Sequence, residues 1–476
     1  MKIVGYVHPG CISLGPLWNY GWLETARLLQ TLRRDAGCDC TLIVGSRFLQ
    51  EAKREGTTER LRDLRVVEID EVALFKQTNA LGVTPTAFDK LVYAEERAGH
   101  PALRMLAEEI VRKFGPGEPD VLISPATPTR FLAEPWSRTF RLHTESLFSR
   151  NPFTSNLFFD HLGTYGGSII GRAGDRLRGY QATDAARTLL DAFRARVAAG
   201  LDATDPFRST DIRRGFDRVC LLPLQVSNWY GFDEQAAYRT QFEFLFDVLS
   251  AAPRDVGMIV TEHIGAGVVL KDWGSDRNFD YLRATFPNMI FVPQSRSFNT
   301  SSQFFVPRVD GVWTVSSGLG FQALLFARML GSPASSYIAS VAHATDAASF
   351  FANVGRAAPE SRDGFMAWLL ERYLVPESLV NDGRWLLDYF LRRLAAARAA
   401  HDPIDAFVPV ADAETLMDAW VARAPQPVLV PFYSHDWVEG VRAELNELYR
   451  SKSIRLTAPF RAVARFARKL RPSTTH

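Results

Sequence analysis

The chain has 476 residues, 47% of them hydrophobic and 23% charged, with a formal net charge of +2. It is too long for one ordinary core and too apolar for a disordered chain, so two domains plus an appendage are expected. The near-neutral balance excludes bulk nucleic-acid binding, and four scattered cysteines (Cys11, Cys38, Cys40 and Cys220) exclude a disulfide framework.

Met1 to Val7 reads as a strand rather than a signal peptide, because no long apolar region follows a basic start. No window approaches ~20 apolar residues, so no spanning helix is expected, and a reducing cytoplasm is the expected compartment. A Gly/Pro loop from His8 to Pro16 leads into an amphipathic helix near 17–34. Strands are expected at 41–45 and 65–70, a long helix over 87–113, and a buried strand at 120–124. Residues 139–172 read as an irregular, glycine-rich loop of the kind that often carries function. A helix near 184–199 and a polar linker at 202–214 follow. A second series then begins, with strands at 218–225, 256–261, 289–293 and 309–315, a helix near 233–250, and helices from Gly318 onward. Such alternation predicts an α/β chain built of two Rossmann-like, doubly wound units, with ligands between their carboxyl-end loops. The expected boundaries are 1–205 for an acceptor domain, 216–400 for a donor domain, and 401–476 for a helical extension. In that extension Lys452, Arg455, Arg461, Arg465, Arg468, Lys469 and Arg471 alternate with apolar residues and no acid intervenes. A segment of this kind can lie on an anionic membrane surface.

Three strand ends of the second unit carry polar groups. Gln225 follows the first, Thr261-Glu262-His263 the second, and Ser316-Ser317-Gly318 the fourth. The last reads as a small-residue turn opening an apolar helix, which offers backbone N–H groups and two hydroxyls to a phosphate. A G-x-G-x-x-G fingerprint is missing after the first strand, which argues against NAD. Cys38-Asp39-Cys40 lacks a second ligand pair and does not predict zinc.

Taken in order, these residues resemble a family. Glu145 with Phe148-Ser149-Arg150, then Asp160-His161-Leu162-Gly163-Thr164-Tyr165, then Gln225-Val226, Thr261-Glu262-His263 and Ser316 to Leu325 are similar to segments of bacterial capsule and lipopolysaccharide Kdo transferases of the KpsC/KpsS type. The resemblance spans about 140–330. It implies a GT-B fold, with two domains facing a central cleft, and a CMP-activated sugar donor, with a glycan or lipid-linked acceptor and no metal. By the same resemblance His263, Ser316 and Ser317 hold the CMP phosphate, Gly318 and Gln225 lie on the donor side, and Gln322 stands where the family has a Glu. His8, Arg150 and Trp229 fall on the sugar side. Retaining members place a nucleophilic Asp where Trp229 stands, and an indole cannot form a glycosyl ester. Inversion by single displacement, with Glu145 as general base and Asp233 as second choice, is therefore expected, unless Asp233 or Glu234 restores the nucleophile. Two other readings remain open: a nucleotide-sugar epimerase of the two-Rossmann kind, and a non-catalytic scaffold for polysaccharide assembly.

Overall fold

The computed structural model describes residues 1–9, 19–54, 56–94, 97–148, 152–225, 235–236, 238–262, 276–298 and 300–423. The first sheet is built from β1 (Lys2–Tyr6), β2 (Asp39–Gly45), β3 (Arg65–Ile69), β4 (Val121–Pro125), β5 (Phe140–Glu145) and β6 (Asn156–Asp160). The second contains β7 (Arg218–Pro223), β8 (Val256–Thr261), β9 (Met289–Phe291), β10 (Gly311–Trp313) and β11 (Met329–Gly331). A last strand, β12 (Leu374–Pro376), joins the first sheet. Most strands are short apolar runs buried on both faces, as parallel strands covered by helices must be.

The two sheets share one topology. Strand order is β12-β6-β5-β4-β1-β2-β3 in the first and β11-β10-β7-β8-β9 in the second. Counting each unit's own parallel strands from its first gives the Rossmann order, 3-2-1-4-5, twice. The expected pair of Rossmann-like units, and with it the GT-B class, is what the chain forms. The switch point, where strand order reverses, lies between β1 and β4 in one unit and between β7 and β10 in the other.

Four expectations need correction. Residues 139–172 are not one loop, because β5 and β6 lie within them as an antiparallel pair. The long helix at 87–113 is two helices, Pro85–Tyr93 and Pro101–Phe114. Pro101 lacks an N–H and holds His100 extended, at φ −61 and ψ 138, so the His100 ring caps the new helix through the Ala102 amide. Residues 205–214 are not a loose linker, since the Arg308 guanidinium grips the Phe207 and Thr210 carbonyls at 2.8 and 2.7 Å. Finally, the boundary at 400 fails. The helix Asp363–Trp368 already lies against the first unit's helix Asp184–Thr204, β12 pairs with β6, and the helix Gly383–Ala399 lies on the helix Asn19–Ala36. The second unit thus ends near residue 360, and residues 363–423 return to the first.

Candidate functional site

The switch point of the second unit is spanned by one side-chain amide. Gln225, just past β7, donates from Nε2 to Ser316 Oγ at 2.8 Å and accepts the Ser316 amide on Oε1 at 3.0 Å. Its own amide donates to Gln241 Oε1 at 2.9 Å. Gln225 therefore fixes the shape of the turn after β10, a role sequence alone did not assign. Within that turn the Leu319 amide donates to Ser317 Oγ at 3.3 Å, and the Gly320 amide to the Ser317 carbonyl at 2.9 Å. The Ser317 and Gly318 amides donate to no other described residue. The helix that follows, Leu319–Leu325, has only seven residues, and Gly318 caps it with helical dihedrals. A helix this short offers little dipole, so any capacity of the turn to hold an anion rests on its own amides and hydroxyls rather than on a helix terminus.

Glu145 ends β5, and two residues later the Leu147 carbonyl touches the second unit. A Cβ on Gly318 would stand 2.3 Å from that carbonyl oxygen. Gly318, expected on the donor side, is thus needed for the contact between units. This contact brings together Glu145 and the Ser316–Gly318 turn, about 170 positions apart in sequence.

Glu145 is partly buried. Tyr165 donates its hydroxyl to the two carboxyl oxygens, at 3.1 and 3.4 Å. Burial pushes the Glu145 pKa up to about 7, against the pull of that hydrogen bond. Tyr337, of the second unit, packs edge-on against Tyr165 with ring centroids 5.4 Å apart. Its phenol is pushed up by burial and by the nearby Glu145 charge. An ion pair between Glu145 and Arg141 does not form, as the Arg141 guanidinium reaches the Trp136 carbonyl instead.

The Asp160 to Tyr165 segment owes its shape to a buried network. Asp160 is 0% exposed and accepts the Leu162 and Ile169 amides, each at 2.8 Å, and the Tyr373 hydroxyl at 3.2 Å. Burial lifts its pKa to about 6, while these donors and the neighbouring Arg393 pull it down. Arg393, also 0% exposed, lies 3.8 Å over the Phe407 ring and donates to the Ala406 carbonyl at 2.5 Å. The His143 and His161 imidazoles are each pushed down to about 3, chiefly by burial, and stay neutral. Tyr373 and Arg393 come from the segment that returns to the first unit, so this crossing braces the loop beside Glu145.

The remaining expected residues fare differently. His8 is 2% exposed, and both ring nitrogens are occupied, Nδ1 by the Tyr6 hydroxyl at 2.9 Å and Nε2 by Asp89 at 3.1 Å. With both nitrogens so occupied, His8 is a buried, satisfied residue just past the carboxyl end of β1. Gln322 is 6% exposed, and its Oε1 has no partner among the described residues. Ser302 donates to the Thr261 hydroxyl at 2.8 Å at the end of β8. Arg150, Trp229, Asp233, Glu234 and His263 lie outside the described residues. Among the described residues no group of three His, Cys, Asp or Glu could hold a metal ion, and no helix is long and apolar enough to cross a membrane.

No protein-family model matches the chain, and no curated protein matches it closely enough to count as a relative. Among solved structures it is similar to the β-Kdo 2,7-transferase of KpsC from Thermosulfurimonas dismutans, at 17% identity and a TM-score of 0.37 over 60% of this chain and 90% of that one. It is also similar to CalG4, the calicheamicin glycosyltransferase, at 15% identity and a TM-score of 0.34 over 84% and 99% of the two chains. A UDP-GlcNAc 2-epimerase from Methanocaldococcus jannaschii gives 12% and 0.33 over 77% and 98%. These likenesses are of fold alone.

Proposed function

We propose that this chain is a glycosyltransferase of bacterial surface-polysaccharide synthesis, moving Kdo or a related sugar from a CMP-activated donor to a glycan acceptor. The observation that carries the reading is the meeting of the Glu145 strand end with the Ser316–Gly318 turn, at the switch point of the second unit. The two Ser hydroxyls and the Ser317 and Gly318 amides suit a donor phosphate. Glu145 suits an acceptor hydroxyl, since a carboxyl titrating near neutrality can take up and release a proton there. In a single displacement the acceptor oxygen gives its proton to Glu145 and bonds to the anomeric carbon. The bond from that carbon to the phosphate oxygen breaks, and CMP leaves with the electron pair. The reading assigns the leaving charge to the turn and to His263 rather than to a metal ion.

The nucleotide is tested by thermal melting with CMP, UDP, GDP and dTDP. CMP is expected to raise the melting temperature most, and Ser317→Ala to weaken that rise. Equal effects from all four, or none, overturn the CMP assignment.

The proposal includes the basic segment 451–471, which would hold the enzyme at the inner face of the cytoplasmic membrane, where a lipid-linked acceptor resides. Each basic group near an anionic surface contributes about 1 kcal/mol, and salt screens it. The full chain is expected to sediment with anionic vesicles at low salt and a chain lacking 451–476 to stay in solution. Absence of sedimentation by the full chain removes the membrane from the proposal.

A further inference from the structure

Tyr165 has a backbone posture that its type disfavours. Its φ is +45°, in the left-handed region where an aromatic residue is strained. The surroundings enforce that posture. Asp160 draws in the amides on both sides of the loop, at Leu162 and Ile169. Ser168 Oγ donates to the Tyr165 carbonyl at 2.5 Å, and a Cβ on Gly171 would lie 2.7 Å from that same oxygen. The outcome of this arrangement is local: the phenol reaches Glu145 and the ring edge meets Tyr337. Tyr337 is in turn fixed by its amide on Gln235 Oε1 at 2.7 Å, and its ring lies 6.1 Å from Phe321. Phe321 sits on the short helix that follows the Ser316–Gly318 turn. A continuous set of contacts therefore runs from the donor turn through Phe321, Tyr337 and Tyr165 to Glu145.

We propose that Tyr165 is the positioning residue of this site: it orients the Glu145 carboxyl, and it shields that carboxyl from water only while Tyr337 of the second unit packs against its ring. The base is then complete when the two units are together and incomplete when they part. This deepens the reading of Glu145 as the group that takes the acceptor proton, and rests on it. Tyr165, on the 160–168 loop, and Tyr337, on the 337–340 turn, are the titratable side chains that act on Glu145 among the described residues.

The test follows the ionisation of Glu145 in the full chain by the carboxyl carbon resonance of labelled glutamate, assigned by its loss in Glu145→Gln. Tyr165→Phe keeps the ring and removes a donor to the ionised form, so the midpoint is expected to rise by about one pH unit. Tyr337→Leu opens the carboxyl to water, so the midpoint is expected to fall toward the ordinary glutamate value. Tyr337→Phe keeps the packing and is expected to leave it in place. An unmoved midpoint in Tyr165→Phe overturns the positioning role, and an unmoved midpoint in Tyr337→Leu overturns its dependence on the second unit. If Tyr337→Leu does not fold, a shift caused by Tyr337→Phe as large as that of Tyr165→Phe overturns the assignment to Tyr165. None of these titrations needs a sugar donor, so they stand or fall apart from the transferase reading. In a transfer assay, the acid limb of kcat/KM is expected to move with the Tyr165→Phe midpoint, a change that a purely structural residue does not cause.

Discussion

Glu145→Gln is expected to lower transfer by at least about a hundredfold while leaving nucleotide affinity within a few-fold of the parent chain. The amide cannot accept the acceptor proton, yet it keeps the shape of the carboxyl and the contact with Tyr165. The nucleotide is held by the turn of the other unit, so its binding has no reason to change. The same substitution has a second consequence that needs no substrate. The folded pKa of Glu145, about 7, lies above the ordinary 4.5, so folding favours the protonated form. That contribution is fully present below the unfolded value and is lost as pH rises through the folded one, up to about 3 kcal/mol in the limit. Glu145→Gln is therefore expected to flatten the stability profile between pH 5 and 8 and to raise the melting temperature on its alkaline side. Parallel profiles for the two proteins would show that Glu145 is not shielded from water in the folded chain.

The largest loss of stability is expected from Asp160→Ala. This carboxyl satisfies two backbone amides and the Tyr373 hydroxyl, beside a fully buried guanidinium. Removing it leaves three donors unmatched and deprives the Arg393 charge of a nearby counter-charge, in a place water does not reach. Breaking a buried charge network of this kind costs about 3–5 kcal/mol. Asp160→Asn is expected to cost less, because an amide oxygen can still accept one of the two N–H groups. Both are read by urea unfolding. Since the network sets the loop that carries Tyr165, a folded Asp160→Asn is also expected to lose transfer with little change in nucleotide affinity. A loss below about 1 kcal/mol for the alanine variant would contradict the network.

The two Rossmann units could be read from sequence because their strands are continuous apolar runs, each followed by polar residues and a helical pattern. Val121–Pro125, Arg218–Pro223 and Val256–Thr261 illustrate this, buried throughout. β12 could not be found that way. It has three residues, and it is a strand only because β6 lies beside it. The same holds for Tyr373 and Arg393, whose partnership with Asp160 and Phe159 spans 213 and 234 positions and leaves no periodic trace. Of the site, Gln225 and Ser316 were legible as polar residues at strand ends, whereas Glu145 was legible only through the family resemblance, because the segment that became β5 read as a loop. Their division of labour was not. Gln225 shapes the turn, and Gly318 admits a carbonyl from the other unit. His8 turned inward because the Tyr6 hydroxyl and Asp89 together satisfy both its nitrogens, and Asp89 comes from a helix far along the chain.

One measurement tests the central claim directly. The protein is incubated with a CMP-activated sugar and a capsular glycan acceptor, and the products are weighed by mass spectrometry. The account predicts free CMP in equal amount to an acceptor heavier by one sugar residue, with both lost in Glu145→Gln. Conversion of the nucleotide sugar to an isomer of equal mass without acceptor, or binding of the donor with no product at all, would contradict it.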